Sequence, residues 1–214
     1  FGLVGSEMCI RDSSEPDAGP ARLSALRKAI SGAQLSGFLV PRSDVHQGEY
    51  VAKRDERLAW LTGFTGSAGF CAVLTDVAGV FVDGRYRVQV KVQTNAAFTP
   101  VDWPETSLPD WLQKNLQTGT IGFDPWLHSW GEIKAHREAL GENGIQLRPN
   151  ANLIDQIWTD RPDPHNAQAY AYPDDYAGET HSDKRKRLAE MLRDNAQDTA
   201  ILTLPDSIVW LLNM

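Results

Sequence analysis

Two short apolar runs separated by three residues constrain the fold of this chain more than any other feature of its sequence. Residues 70–75 and 79–82 are rich in β-branched and aromatic side chains, as strands are, and the break at 76–78 has the length of a hairpin loop. Helical periodicity appears before and after this pair, so helices and strands alternate along the chain. An antiparallel hairpin within such an alternation predicts an α/β fold, in which helices flank a mixed β-sheet with the hairpin near its centre.

The other predicted elements follow from periodicity and from helix boundary signals. Leu23, Leu26 and Ile30 recur at intervals of three and four residues, which predicts a surface helix from about Ala21. Ser129 has the side chain of an N-cap and precedes another helical pattern. We further predict helices at residues 56–61, 109–116, 130–140, 183–195 and 208–212, and strands at residues 38–40, 121–123 and 199–204.

Composition and charge limit the classes of protein. The 214 residues are 42% hydrophobic and 23% charged, which is enough for one large domain or for one domain and part of another. The net charge of −7 argues against nucleic-acid or anionic-membrane partners, because both attract basic surfaces. No apolar run approaches the roughly 20 residues that span a bilayer, so we expect a soluble, cytoplasmic protein. Cys71 lies in an apolar run and is predicted to be a buried free thiol.

The two ends of the chain differ in character from its centre. Residues 8–13 resemble the translated end of a transposase adapter used in sequencing, so residues 1–19 are interpreted as a disordered leader, either a cloning scar or an ordinary terminus. Residues 20–160 form the predicted first domain, and the proline-containing residues 161–178 a linker. Residues 179–214 repeat the order of helix, strand, proline and apolar helix, which indicates either an internal duplication or only the common order of βα units. Because the chain stops within an apolar helical pattern, we expect this second domain to be truncated.

Three strings of unusual composition lie near predicted strand ends: residues 43–50 (SDVHQGEY), 63–69 (GFTGSAG) and 83–86 (DGRY). Glycines at intervals of three in the second string allow tight backbone turns, and no Lys-Ser or Lys-Thr follows to make a phosphate loop. Arg85 follows a predicted strand, where side chains of α/β domains reach into clefts. Its guanidinium is suited to binding a peptide carbonyl or carboxylate, or to a surface salt bridge.

The other polar residues indicate no metal site and no catalytic triad in this chain. The five histidines lack the HExxH spacing and have no acidic residues at metal-ligand intervals. His46 is interpreted as a loop histidine, since no carboxylate or nucleophile is spaced to complete a triad with it. The basic run at residues 184–187 predicts a solvated helix face.

The three strings, followed in order by residues 152–162 and 206–213, resemble successive landmarks of the three-domain cytosolic aminopeptidase P family, the Xaa-Pro aminopeptidases. The resemblance covers the chain from about Ala21 to Met214. It implies that the first two domains share a creatinase-type α/β fold, with a helix after residue 84, where the alternating valines by themselves fit a strand. It also implies a third, catalytic domain with two manganese ions, which this chain does not contain, so we expect this fragment to be inactive by itself. The family removes the first residue of peptides that have proline at position two.

The resemblance also implies roles for individual residues. Arg85 matches a first-domain arginine that contacts the peptide substrate within a homodimer, whereas His46, Glu49 and Tyr50 match the family string as possible cleft or interface residues. No catalytic or metal-binding residue is expected in this chain. Two alternatives are a non-catalytic peptide-binding or dimerisation module on the same scaffold, and a creatinase or prolidase, although the strings at 43–50 and 83–86 favour the aminopeptidase.

Overall fold

The computed structural model describes residues 14–164 and 166–214, so residues 1–13 of the predicted leader lie outside it. The described residues fall into two compact units, the first ending at Pro162 and the second comprising residues 46–48 and those from Asp163 onward. The strands are β1 (Gly37–Pro41), β2 (Phe70–Leu74), β3 (Ala78–Val82), β4 (Thr99–Asp102), β5 (Gly119–Phe123) and β6 (Ile145–Pro149). The helices of the first unit are α1 (Gly19–Gly32), α2 (Arg57–Thr62), α3 (Gln89–Gln93), α4 (Leu108–Asn115), α5 (Trp130–Leu140) and α6 (Leu153–Ile157).

The first unit contains one six-stranded mixed sheet in the order β4-β3-β2-β1-β5-β6. The predicted hairpin is confirmed: β2 and β3 pair antiparallel, with Leu74 N donating to Val77 O at 2.8 Å in the turn between them. β2 is antiparallel to both of its neighbours, and the other neighbouring strands pair parallel. The carboxyl ends of five strands and the amino end of β2 therefore lie along one edge, which we call the carboxyl edge.

Helices cover both faces of this sheet, which confirms the predicted α/β fold. Alternate side chains of a strand point to opposite faces, so Phe38 and Val40 pack in one core while Leu39 packs in the other. The first core receives α1, α2 and α6, and the second receives α4 and α5. The sequence periodicity of α1 is confirmed, because Leu23, Leu26 and Ile30 are all buried in the first core.

Most predicted helices and strands of the first unit are confirmed within one or two residues. The stretch after Gly84 forms a turn and then helix α3, and Ser129 Oγ accepts a hydrogen bond from Glu132 N at 3.1 Å as the N-cap of α5. Strands β4 and β6 were not predicted. Both are outermost strands of the sheet and are only partly buried, so neither has the continuous apolar run of a central strand.

The first unit begins before residue 20, where the predicted leader was expected to end. Residues 14–19 are already part of the first unit, since Ser14 Oγ donates to Gly63 O at 2.9 Å and Arg22 forms an ion pair with Glu15 at 2.6 Å. Helix α1 begins at Gly19, with Pro20 in its first turn. Proline is favoured in the first turn of a helix, because the N–H groups there have no partner within the helix and proline has none to leave unpaired. The predicted start at about Ala21 was later because it rested on apolar periodicity, which begins only at Leu23.

The second unit contains the helices α7 (Asp174–Ala177), α8 (His181–Asp194) and α9 (Pro205–Leu212). The predicted strand at residues 199–204 is wrong, because these residues form no strand. A strand needs a neighbouring strand for its backbone hydrogen bonds, and none of the described residues of this unit forms one. The helices recur in the order expected for a duplication, but the strand does not.

The basic run at the start of α8 is not a uniformly solvated face, contrary to prediction. Lys184 is buried, and its Nζ donates to Trp210 O at 2.9 Å and to Asn213 Oδ1 at 2.7 Å. Its ammonium group also lies 4.4 Å from the centre of the Trp210 ring, a cation–π distance. The charge pattern did not reveal this, because the partners follow 26 and 29 residues later in the chain.

Cys71 is a buried free thiol, as predicted, and burial raises its pKa. Since the thiolate is the reactive form, Cys71 should react with a thiol reagent at least about a thousand-fold more slowly in the folded chain than in the unfolded chain. The measurement is the rate of labelling by Ellman's reagent in a Cys9→Ser variant, with and without denaturant. Rapid labelling without denaturant would contradict the buried position of β2.

Candidate functional site

The three strings singled out in the sequence meet at the carboxyl edge of the sheet. Residues 43–50 follow β1, residues 83–86 follow β3, and residues 63–69 lead into β2. The strand register places these points side by side, since Phe70 pairs with both Pro41 and Phe81. Ligand sites of open α/β sheets lie outside the carboxyl ends of the strands, so this edge is where we place the candidate site.

Arg42 joins the first string to the second. Its Nη1 donates to Glu49 O at 3.2 Å and to Ser67 O at 3.1 Å. The neighbouring Ser43 is buried, and its Oγ donates to Leu127 O at 2.8 Å in the loop after β5. These bonds fix the loop after β1 against two other loops of the same edge.

Tyr86 joins the second string to the third. Its hydroxyl lies 2.6 Å from Ser67 Oγ, and its ring meets the Phe64 ring edge-on at a centroid distance of 5.7 Å. Gly66 permits this contact, because a Cβ there would lie 2.2 Å from Phe64 Cζ and 2.8 Å from Tyr86 Cδ1. Gly66 is therefore required by close packing of the two rings, and not by a tight turn.

The glycine string is itself anchored to α3. Thr65 N donates to Gln93 Oε1 at 3.0 Å, and Gln93 Nε2 donates to Thr65 Oγ1 at 2.9 Å. Gly63 has φ +82°, and a Cβ at this residue would lie 2.4 Å from Gln93 O. A glycine is required there by both conformation and space, and the string forms a fixed platform beneath Tyr86.

Arg85 lies in the third string, in the turn after β3, with 66% of its side chain exposed. Asp83 Oδ1 accepts from Arg85 N at 2.9 Å and from Nε at 3.2 Å, and Asp83 Oδ2 accepts from Nη2 at 2.7 Å. The guanidinium carbon lies 5.2 Å from the centre of the Tyr86 ring. The hydrogen bond between the two side chains raises the pKa of Arg85 and lowers the pKa of Asp83, so both groups stay charged.

The structure separates the other predicted site residues. Glu49 lies in the loop that Arg42 holds, and its negative charge is among the influences that raise the pKa of Arg85. Tyr50 is 89% exposed. His46 groups with the second unit, where its Nδ1 lies 3.2 Å from Thr203 O.

Sequence reasoning missed the residues that connect the strings. Arg42 and Ser67 contact each other across 25 positions of the chain, and Ser67 and Tyr86 across 19. Asp83 was noted as part of its string without a role, although an aspartate two residues before a turn arginine is a recognisable signal for an Asx-turn. For Arg42 the sequence carries no comparable signal.

A second polar cluster lies at the start of α5, which follows β5 at the same edge. Glu132 Oε1 lies 3.0 Å from His128 Nδ1 and 3.8 Å from His136 Nε2. Burial raises the pKa of Glu132, but the hydrogen bonds and charges of the two histidines outweigh burial and lower it to about 2. The cluster follows from the four-residue spacing of a helix.

Glu132 should stabilise the fold above its usual pKa of 4.5 and lose this contribution as the pH falls towards about 2. Its side chain is 41% exposed, so solvent screening limits the effect to on the order of 1 kcal/mol. Thermal unfolding of a Glu132→Gln variant should show a deficit at about pH 5.5 that narrows as the pH is lowered to about 3. Glu138→Gln, which removes an exposed carboxylate of the same helix, is the control and should show little deficit.

Neither metal ligands nor a membrane helix are found in the described part of the chain. Within residues 14–164 and 166–214, no three His, Cys, Asp or Glu side chains are grouped so as to hold a metal ion. Of the helices formed by these residues, none has the length and apolar character needed to cross a membrane.

The second unit has a groove of about 620 Å³ between α8 and α9, with walls that include Leu188, Met191, Leu202 and Trp210. Its lining is mainly apolar. The groove contains none of the three strings, and we therefore keep the candidate site at the carboxyl edge.

Comparisons with known proteins agree with each other. Two sequence models, both described as the creatinase/prolidase N-terminal domain, match residues 22–157 and 160–214. The chain is similar to aminopeptidase P1 of Lotus japonicus, with 34% identity over 197 residues, and to Xaa-Pro aminopeptidase 2 of Rattus norvegicus, with 32% identity over 199 residues. Each alignment covers 90% of this chain and 30% of the relative, so the chain spans about a third of the length of these relatives.

Solved structures show the same similarity. The chain is similar to the X-prolyl aminopeptidase of Caenorhabditis elegans, described as a cytosolic enzyme with a di-nuclear active site, with a TM-score of 0.82 and 30% identity. That match covers 91% of this chain and 34% of the other. An Xaa-Pro dipeptidase of Bacillus anthracis shares the fold at 19% identity and a TM-score of 0.52, over 65% of this chain and 35% of the other.

Proposed function

Because this chain belongs to the creatinase/prolidase N-terminal domain family, we propose that it is the amino-terminal region of a metal-dependent Xaa-Pro aminopeptidase. Such an enzyme removes the first residue of peptides that have proline at position two. The relatives named Xaa-Pro aminopeptidase or aminopeptidase P, each aligned with 90% of this chain, support this reading. The observation that carries it is Arg85, an exposed guanidinium fixed by Asp83 and Tyr86 at the edge where α/β sheets bind ligands.

Arg85 is proposed to bind the peptide substrate by donating hydrogen bonds to its backbone. His46, Glu49 and Tyr50 are proposed as residues of the surrounding cleft or of a subunit interface. Residues 20–160 act as the first creatinase-like domain, residues 161–178 as a linker and residues 179–214 as the start of a second domain of this kind. The chain contributes substrate binding and dimerisation in this scheme, and by itself it is inactive.

The metal ions of such an enzyme do not fit the described residues of this chain. The resemblance implies two manganese ions held by Asp, His and Glu, whereas the described residues contain no three such side chains placed so as to hold a metal ion. We therefore assign no metal ligand and no chemical step to this chain. The ions belong, in this proposal, to a catalytic domain elsewhere in the complete protein.

The proposed partners are proline-containing peptides and a second copy of the chain in a homodimer, and the proposed location is the cytoplasm. The net charge of −7 supports an absence of nucleic-acid and anionic-membrane partners, since both attract basic surfaces. The cytosolic description of the Caenorhabditis elegans relative supports the location.

The substrate role of Arg85 is tested by the Arg85→Ala variant of the complete protein. Loss of one charge-assisted hydrogen-bonding group should lower kcat/KM on a proline-containing tripeptide by about 10- to 100-fold, with the fold intact. Lys114→Ala, which removes a positive charge from the exposed side of α4, is the matched control and should leave kcat/KM unchanged. Equal kinetics for Arg85→Ala and the control would refute the proposed role.

The alternatives are tested at the level of the gene and of the isolated chain. Sequencing of the source DNA past the codon for Met214 shows whether the reading frame continues into a domain with metal ligands. A stop codon there would favour the non-catalytic binding or dimerisation module. Detectable Xaa-Pro hydrolysis by the pure 214-residue chain with added manganese would contradict its proposed inactivity, and activity of the complete protein on creatine or on dipeptides only would favour a creatinase or prolidase.

A further inference from the structure

Asp83 occupies one complete edge of the Arg85 guanidinium. Its two carboxylate oxygens accept from Nε at 3.2 Å and from Nη2 at 2.7 Å, which is the bidentate arrangement of an arginine–carboxylate pair. Asp83 Oδ1 also accepts from the backbone N of Arg85 at 2.9 Å, so the same carboxylate fixes both the turn and the side chain. The Tyr86 ring, 5.2 Å from the guanidinium carbon, further limits its rotation.

One edge of the guanidinium remains available to a ligand. A guanidinium has five N–H donors, and the hydrogen bonds to Asp83 use the Nε donor and one donor of Nη2. Nη1 makes no hydrogen bond to the described residues, and the side chain is 66% exposed. Arg85 therefore presents a fixed pair of donors, from Nη1 and Nη2, towards solvent.

Neighbouring charged groups change the electrostatic potential at the exposed Nη1 and Nη2 donors of Arg85. Asp83 pairs with the guanidinium, and Glu49 adds a negative charge in the neighbouring loop. Arg87, whose positive charge also acts on Asp83, is itself paired with Asp102 and Glu105. A carboxylate that approached Nη1 would be attracted by Arg85 and repelled by Asp83 and Glu49. A neutral carbonyl oxygen accepts the same hydrogen bonds without this repulsion.

We propose that Asp83 is a positioning and specificity-determining residue, which orients Arg85 towards neutral peptide carbonyl oxygens and prevents it from favouring carboxylate ligands. The inference rests on the proposed function in placing a peptide at Arg85. It extends that function by naming the ligand group, a backbone carbonyl within a peptide in place of a free carboxyl terminus.

The test compares two small probes on the 214-residue chain. N-acetylglycine carries a carboxylate, and N-acetylglycine methylamide is its neutral counterpart. Each is titrated against the wild type and an Asp83→Asn variant while the side-chain N–H signals of Arg85 are followed by NMR. Asparagine keeps one oxygen that can accept from Arg85 N, removes the charge, and replaces the second oxygen with an NH2 group that cannot accept from the guanidinium. Asp76→Asn, which makes the same change at an exposed aspartate in the turn between β2 and β3, is the matched control.

The wild type and the control should bind the carboxylate no more tightly than the neutral probe. In Asp83→Asn the affinity for the carboxylate should rise about fivefold, whereas the affinity for the neutral probe should not rise, because the bidentate contact that orients Arg85 is lost. A merely structural role for Asp83 would change both affinities equally and would overturn the proposal. A carboxylate preference in the wild type, or an Arg85 signal that neither probe shifts, would overturn it as well.

The outcome is independent of peptidase activity, so it separates this inference from the proposed function. The probe titrations test the charge selectivity at Arg85, whereas the kinetics of Arg85→Ala test its role in substrate binding. The backbone amide signals of the sheet report whether each variant is folded. Asp83→Ser, which also offers an oxygen to the turn, replaces Asp83→Asn if that variant does not fold.

Discussion

Replacement of Arg57 by methionine should lower the free energy of unfolding by about 3 kcal/mol. Arg57 is only 4% exposed, and its guanidinium donates to Asp155 Oδ1 at 2.7 Å and to Asp155 Oδ2 at 3.0 Å. Its Nη1 also lies 3.1 Å from Asp55 Oδ1. Burial disfavours the charged form of Arg57, but the hydrogen bond and charge of Asp155 outweigh burial and raise the pKa of the guanidinium.

The loss arises mainly from the carboxylates that remain. Methionine fills the space of the arginine stem but leaves Asp155 and Asp55 without their most buried partner, and an uncompensated charge in such a position is costly. Arg161 continues to pair with both, at 2.7 Å and 2.9 Å, which keeps the expected loss at the lower end of the range for buried ion pairs. The pairs join α2 to α6 and to the end of the first unit.

Urea unfolding monitored by tryptophan fluorescence measures this loss. Lys28→Met, on the exposed side of α1, is the control for removal of a positive charge and should change stability by no more than about 0.5 kcal/mol. The double variant Arg57→Met with Asp155→Leu should be more stable than Arg57→Met alone, because it removes a carboxylate left without its main partner. If Arg57→Met cost no more than the control, the ion pairs would contribute nothing to the fold.

Phe81→Ala should lower the free energy of unfolding by about 3 to 5 kcal/mol. Phe81 is 0% exposed in β3, its ring stacks on Phe70 at a centroid distance of 4.3 Å, and it meets Trp111 of α4 edge-on at 5.5 Å. Truncation to alanine removes both ring contacts and leaves a cavity between the sheet and α4. Asp83 lies two residues beyond Phe81, so the same change should loosen the turn that holds Arg85.

Phe81→Leu is the matched variant, since it keeps most of the buried volume and removes only the aromatic contacts. We expect it to cost about 1 kcal/mol, well below the loss for alanine. The comparison is made by urea unfolding of both variants, together with near-ultraviolet circular dichroism for the packing of Trp111. A loss of less than about 1 kcal/mol for Phe81→Ala would show that the face between β3 and α4 is not tightly packed.

The candidate site was only partly predictable from sequence. Arg85 was singled out because it follows a strand and because its string resembles the aminopeptidase P family. Its partner Asp83 is close enough in the chain for a turn motif to suggest the contact. Arg42 and Ser67 carried no such signal, although they connect the strings. Their contact depends on the pairing of β1 with β2, and neither residue type indicates by itself which loop it will meet.

The sequence by itself determined the elements whose information is local. The hairpin of β2 and β3, the apolar stripe of α1 and the Ser129 cap of α5 each follow from spacing within about a dozen residues, because periodicity and capping depend on neighbouring side chains. Only the tertiary structure decided the edge strands β4 and β6, the buried position of Lys184 and the absence of a strand at residues 199–204. Each of these depends on a partner distant in the chain. A strand needs a neighbouring strand for its backbone hydrogen bonds, and a buried lysine needs hydrogen-bond acceptors for its ammonium group.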